Sequence, residues 1–253
     1  MARITVIANQ KGGIGKTTTA NMLSAGLIAK GFGVLTIDAD PQSNLSHSMK
    51  ADTSAKGVFE AMSGEPVTEL IQETPNGHVL ASSSRLTGAD KKFSDYGAEY
   101  LLQDAIAPIK DKYQYVVIDT PPALGILVIN CLIAATDLII PLTADMYSVI
   151  GLSQLLDTIE RVKKRSNPGL CISGLLLTRY THRAILSRDL KEAIEKKSTD
   201  IGTKLYGTII REGIAIREAQ TSLQSIFSHA PMSNAAIDYG NFVNEYLNDE
   251  RGF

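Results

Sequence analysis

Asn9-Gln10-Lys11-Gly12-Gly13-Ile14-Gly15-Lys16-Thr17-Thr18-Thr19 follows directly on Ile4-Thr5-Val6-Ile7-Ala8 and runs into Ala20-Asn21-Met22-Leu23-Ser24-Ala25. A β-branched strand, a glycine loop, a Lys-Thr pair and a helix make up the layout of a nucleotide-phosphate cradle. Gly12, Gly13 and Gly15 let backbone N–H groups turn onto phosphate oxygens without a Cβ in the way. Lys16 is expected to reach the β- and γ-phosphates and Thr17 to ligate Mg²⁺, with Thr18 beside it at the helix start. The strict form of the motif asks for glycine where Gln10 stands. What remains is Lys-Gly-Gly-x-Gly-Lys-Thr, with a second lysine, Lys11, at the mouth of the loop. One cradle needs one lysine. A second one so placed suits the phosphate of a nucleotide held by a partner subunit, supplying charge in trans as an arginine finger does.

Working outward, short apolar runs recur with helical stretches between them. The expected strands are Ile4–Ala8, Val34–Ile37, Val79–Ala81, Tyr115–Ile118, Leu138–Leu142, Cys171–Leu177 and Leu205–Ile210. The expected helices are Lys16–Lys30, Ala98–Ile109, Ile126–Ala134, Val149–Lys164, Arg188–Lys197, Ile214–Ser222 and Asn234–Leu247. Near-continuous hydrophobic strands alternating with helices predict an α/β fold: a mostly parallel twisted sheet with helices on both faces, in the P-loop NTPase manner. Residues 43–77 are the least regular part. No linker divides the chain, so residues 1–253 are expected to form a single P-loop domain.

Ligands of such sheets collect at the carboxyl ends of the strands. Two strands end there in acid: Val34-Leu35-Thr36-Ile37 runs into Asp38-Ala39-Asp40-Pro41-Gln42, and Tyr115-Val116-Val117-Ile118 into Asp119-Thr120-Pro121-Pro122. A strand-end aspartate usually serves a turn or a helix cap. Two of them beside a phosphate loop point to chemistry instead. Asp119 has the form of a Walker B acid holding Mg²⁺ through water, Asp38 is placed to do the same, and Asp40 is better placed to orient an attacking water. Ala123-Leu124-Gly125 then suits a switch that senses the γ-phosphate.

Bulk properties narrow the class. The 253 residues carry 44% hydrophobic side chains and a net charge of −2. No apolar run approaches the roughly 18 residues needed to span a bilayer. Met1-Ala2-Arg3-Ile4 leads straight into a strand, which leaves no room for a signal peptide and predicts a cytoplasmic protein. Cys131 and Cys171 sit in apolar settings and are expected as buried thiols; no Cys or His cluster suggests zinc or iron–sulfur chemistry. The charge is unevenly spread, with 13 Lys/Arg against 5 Asp/Glu between Arg161 and Arg217.

Together, Lys11–Thr19, Asp38–Gln42 and Asp119–Gly125 resemble the signature blocks of the ParA/MinD family of deviant Walker A ATPases. The likeness continues through Asn130, Ala134, Asp137, Pro141, Gly151–Leu156, Gly174–Thr178 and Arg217-Glu218-Ala219, and is strongest toward small, Soj-like ParA proteins. The resemblance implies ATP rather than GTP, an ATP-sandwich homodimer with Lys11 on the partner's nucleotide, and non-specific binding to double-stranded DNA. It also implies a ParB-type centromere-binding protein that stimulates slow hydrolysis and releases the dimer, and a nucleoid-associated location. In that scheme Lys11, Lys16 and Asp40 serve catalysis, while Thr17, Asp38 and Asp119 serve the metal. Two positions depart from the family. Ser43 replaces the glycine usual before Asn44, and an expected DNA-contacting arginine falls at Ala215.

The basic stretch decides between DNA and membrane. Arg179, Arg183, Arg188, Lys191, Arg211 and Arg217 are the candidate DNA contacts, Arg183 by the resemblance. Such residues grip phosphates without reading sequence, and dimerisation would double the patch. The rival is a MinD-like membrane-positioning ATPase, which wants a basic amphipathic helix at its C-terminal end. Asn234–Leu247 has apolar helical spacing, but its polar positions include Asp238 and Glu245, with Asp249 and Glu250 following. Acidic groups are repelled by anionic lipid, so that helix is expected to pack on the sheet, and no membrane partner is expected.

Overall fold

Along Tyr115–Asp119, Val116 and Ile118 face one hydrophobic core and Val117 faces another. This alternation is what a strand buried on both faces requires. The computed structural model describes residues 2–181 and 185–249. Its seven strands are β1 (Arg3–Ile7), β2 (Val34–Asp38), β3 (Gln72–Thr74), β4 (Gly77–Leu80), β5 (Tyr115–Asp119), β6 (Asp137–Leu142) and β7 (Cys171–Leu177). They form one sheet in the order β3-β4-β2-β5-β1-β6-β7, parallel throughout save for β3 against β4. The major helices are α1 (Lys16–Ala29), α2 (Ile126–Ala134), α3 (Met146–Arg165), α4 (Ile185–Asp200), α5 (Ile214–Thr221) and α6 (Asn234–Leu247).

Helices α2 and α3 cover one face, through residues such as Cys131, Leu132, Leu155 and Ile159. Helices α1 and α6 cover the other, through Leu23, Leu27, Tyr239, Phe242 and Val243. Close approach of these two helices depends on Gly26, where an added Cβ would stand 2.6 Å from Val243 Cγ2. The apolar side of α6 is therefore engaged in the core, as its acidic polar side suggested. Among the described residues no helix is long and apolar enough to cross a membrane.

The structure corrects the sequence reading in four places. Leu205–Ile210 is not a strand: it meets β7 at Leu175 and again at Leu177, whose carbonyl takes the Ile210 N–H at 2.8 Å, and between them Gly207 and Thr208 turn their N–H groups to the Glu245 carboxylate at 2.7 and 2.9 Å. The helix expected over Ala98–Ile109 is only Leu101–Ile106, with 3₁₀ turns on either side. Asn130 clamps its start, binding the Leu102 N–H and the Ala98 carbonyl, and Pro108 lacks a donor for its end. A β3–β4 hairpin was missed although Pro75-Asn76-Gly77 marks its turn, Gly77 taking φ +119°. Cys131 is buried as expected, but Cys171 is half-buried.

At the amino end of the sheet Arg3 is buried, 2.9 Å from Asp137 and with its guanidinium 4.1 Å from the centre of the Tyr246 ring. Burial alone would raise the Asp137 pKa, but hydrogen bonds from Arg3, Ser173 and Thr136 outweigh it and hold the group below the usual carboxylate range. Arg3→Leu strands that carboxylate and is expected to cost about 3 kcal/mol of stability, read as a lower urea midpoint. Because the folded pKa lies below the unfolded one, this stabilisation is complete above the ordinary carboxylate range. It is lost as pH falls through the depressed value. The wild-type acid limb should accordingly be steeper than that of the variant.

Candidate nucleotide site

Strand β1 is central, with β5 and β6 beside it, and the glycine loop leaves its carboxyl end. Gly13 and Gly15 take φ of +72° and +92°, conformations that glycine reaches without strain. Behind the loop, Thr178 Oγ1 donates to the Ile14 carbonyl at 2.6 Å and Arg179 Nη1 to the Gly13 carbonyl at 2.6 Å. Lys16 is buried at the start of α1 and donates from Nζ to the Lys11 carbonyl at 3.0 Å. Burial pulls its pKa down, against the upward pull of Asp119 and Asp40.

The two acid-tipped strands lie side by side, Asp38 opposite Asp119 in register. Their carboxylates differ in occupation. Asp38 accepts from the Ser46 N–H and hydroxyl, both at 2.7 Å, and from the Asp40 N–H at 3.1 Å. It holds the following loop in shape and does not line the cavity. Asp119 is fully buried beside Thr17 without a well-formed hydrogen bond to it, and neither oxygen has a donor among the described residues. Burial pushes both carboxyls above their usual range, and repulsion from Asp38 and Asp40 adds to the effect on Asp119. Unpartnered buried oxygens are costly, so this site fits a bound cation. No group of three or more His, Cys, Asp or Glu gathers among the described residues. A metal such as Mg²⁺ keeps water and takes phosphate oxygens, so it needs few protein ligands.

A cavity of 420 Å³ opens over the loop. Gly12, Gly13, Gly15, Lys16, Thr17, Thr18 and Asp40 line one side of it. Asp40 accepts the Gln42 N–H at 3.0 Å, and its carbonyl takes the Ser82 hydroxyl at 2.5 Å, so the acid stands on a braced loop. In that loop Ser43 sits at φ +56°, a left-handed conformation that glycine adopts at lower cost. The opposite wall comes from the last quarter of the chain: Ile210, Glu212, Gly213, Ile216, Arg217, Gln220 and Tyr239. Nothing in the local sequence announced this wall. Gln220 reaches Thr18 Oγ1 at 3.0 Å, brought there because α5 packs on the short helix Ile226–His229, which in turn packs on α1.

Lys11 points away from this cavity into a neighbouring cleft lined also by Gly12, Thr143, Asp145, Arg179 and Tyr180. Its Nζ is 2.5 Å from Asp145 and 3.2 Å from Thr143 Oγ1. Burial raises the Asp145 pKa, but bonds from Lys11, Thr143 and the Ser148 N–H prevail and bring it to about 2. The same carboxylate caps α3.

The candidate DNA contacts do not form one free basic patch. Arg179 and Arg217 line the nucleotide cavity, and Arg211 is held by both oxygens of Asp238, with its shortest contact at 2.6 Å. Lys191 is half-buried on α4. Arg188 lies on the same helix, with its side chain outside the described residues, and Arg183 lies outside them altogether.

A glycine cradle at the carboxyl end of a central parallel strand, flanked by two acid-tipped strands, defines a P-loop nucleotide-binding fold. Residues 2–172 match the AAA domain family AAA_31. The chain is 35% identical to the sporulation initiation inhibitor protein Soj of Bacillus subtilis, over 97% of this chain and 98% of that protein. It is 34% identical to the chromosome-partitioning ATPase Soj of Thermus thermophilus, over 95% and 94% respectively. A Mycobacterium smegmatis structure named cobyrinic acid a,c-diamide synthase, with an ATP analogue and magnesium bound, superposes with a TM-score of 0.82. It is 32% identical and covers 98% of this chain and 95% of its own. The chain belongs to the ParA/Soj family of ATPases.

Proposed function

We propose that this protein is a partition ATPase that binds Mg-ATP, pairs with a second copy across the nucleotides, and holds double-stranded DNA while ATP remains intact. One observation carries the reading: Lys16, the Gly12–Gly15 loop and Asp40 line a single cavity, and the unpartnered Asp119 carboxylate lies behind Thr17. Thr17 would ligate Mg²⁺ and Asp119 would hold it through water, with Asp38 keeping the neighbouring loop in place. The metal supplies neutralisation of phosphate charge. Asp40 is positioned to orient water toward the γ-phosphate. Lys11 lies a third exposed on the outer side of the loop, on ground that a second copy would meet, which fits a role in trans. Slow turnover stimulated by a ParB-type protein would make hydrolysis the release step.

Membrane positioning is the weaker reading, because the helix it needs has its apolar side buried against α1. One experiment separates the two. The protein is co-sedimented with duplex DNA and with anionic liposomes, in ATP, ADP or no nucleotide, over a salt series. Retention on DNA only with ATP, weakening steeply with salt, is expected. Lys11→Ala should abolish both that retention and the ATP-dependent dimer seen by sedimentation velocity. Retention on liposomes alone, or a dimer that survives the substitution, would overturn the scheme.

A further inference from the structure

Consecutive residues at the end of β7 grip consecutive carbonyls of the phosphate loop, Arg179 taking Gly13 and Thr178 taking Ile14. In a trans peptide the carbonyl and the following N–H point in opposite directions. A Gly13 carbonyl drawn outward to Arg179 therefore turns the Ile14 N–H inward, and Thr178 does the same for the Gly15 N–H. Inward-facing N–H groups are what an anion meets in such a loop.

Arg179 is held unusually firmly for a half-exposed side chain. Its Nη1 is on Gly13, its Nε donates to Glu212 at 2.8 Å, and it lines both the nucleotide cavity and the Lys11 cleft. Its backbone takes φ +51°, a left-handed conformation that a non-glycine residue holds only when its surroundings impose it. The Glu212 N–H in turn donates to the Tyr180 carbonyl at 3.2 Å, which ties the two segments together. A DNA contact needs a guanidinium free to reach outward. This one is held through Nη1 and Nε by groups of its own chain.

We propose that Arg179 is a positioning residue of the phosphate cradle. Glu212 aims its guanidinium so that the Gly13–Ile14 peptide presents its N–H to the nucleotide phosphates. The proposal rests on the nucleotide-binding reading above and moves Arg179 from the DNA surface to the ATP site.

The test compares wild-type protein with Arg179→Gln, Arg179→Lys, Glu212→Gln and the Arg179→Gln/Glu212→Gln double variant. Titration calorimetry reads Mg-ATP and Mg-ADP affinity, thermal melting checks folding, and DNA co-sedimentation is run at saturating ATP. Arg179→Gln should weaken both nucleotides about tenfold, the scale of one charge-assisted hydrogen bond. Glu212→Gln should weaken them less, and the double variant should be no worse than Arg179→Gln, since Glu212 acts through Arg179. Arg179→Lys should recover part of the loss. DNA retention at saturating ATP should match wild type. Nucleotide affinities within twofold of wild type in Arg179→Gln, or additive losses in the double variant, overturn the proposal. Lost DNA retention with intact nucleotide affinity would return Arg179 to the DNA surface. If Arg179→Gln does not fold, Glu212→Gln and Arg179→Lys decide by the same readings. Wild-type protein that binds neither nucleotide would instead defeat the ATPase reading itself.

Discussion

Lys16→Ala protein should bind ATP at least about 100-fold more weakly than wild type. Lys16 is buried at the floor of the cavity, and burial already lowers its pKa, a sign that its charge lacks full solvation there. Asp119 and Asp40 recover part of that loss, and a triphosphate would recover more. Truncating one partner of a buried, hydrogen-bonded charge pair costs about 2–5 kcal/mol, and about 1.4 kcal/mol is a factor of ten. The fold should not suffer in step, because among the described residues Nζ donates only to the Lys11 carbonyl in the same loop. Calorimetric titration with Mg-ATP, beside a melting curve, checks both halves. Wild-type affinity in a folded Lys16→Ala protein would remove this lysine from the phosphate site.

Asp40→Ala should behave in the opposite way, with ATP bound within a few-fold of wild type and turnover reduced about 10²- to 10³-fold. A group that positions or deprotonates the nucleophile contributes on that scale and only in the transition state. The placement supports such a split. Asp40 lines the cavity, yet its loop is braced by contacts that the substitution leaves intact: Asp38 on the Asp40 N–H and Ser82 on its carbonyl. The substitution removes a single side-chain contact, the Gln42 N–H on Asp40 Oδ1. Phosphate release, measured with and without the partner protein, together with an ATP titration, tests it. Unchanged hydrolysis would exclude Asp40 from the mechanism, and a parallel loss of ATP affinity would make it a structural acid like Asp38.

The difference between Asp38 and Asp119 shows where sequence reading stopped. Both stand at the end of an apolar strand, and the local pattern assigns both to the metal. Tertiary structure separates them, because Ser46 folds back to occupy one carboxylate and nothing described occupies the other. Arg179 and Arg211 show the same limit. A count of basic residues places both on a DNA surface, whereas Glu212 and Asp238, distant in sequence, hold them. Charge density along a chain says nothing about which charges are already paired.

What could be read from the sequence were the features set by local geometry. The glycine loop, its lysines and six of the seven expected strands depend on backbone freedom and on periodicity within a few residues, so their positions fell within a residue or two of the structure. The same holds for α6, where an acidic polar side and an apolar side already indicated packing on the sheet. Tertiary structure alone decided the far wall of the cavity, the break at Gly207, the different hydrogen bonding of Asp38 and Asp119, and the hold of Glu212 on Arg179. Each depends on groups that meet outside the local repeat of strand or helix, from eight residues apart for Ser46 and Asp38 to 202 for Thr18 and Gln220, and such a partner leaves no periodic trace in the segment it meets.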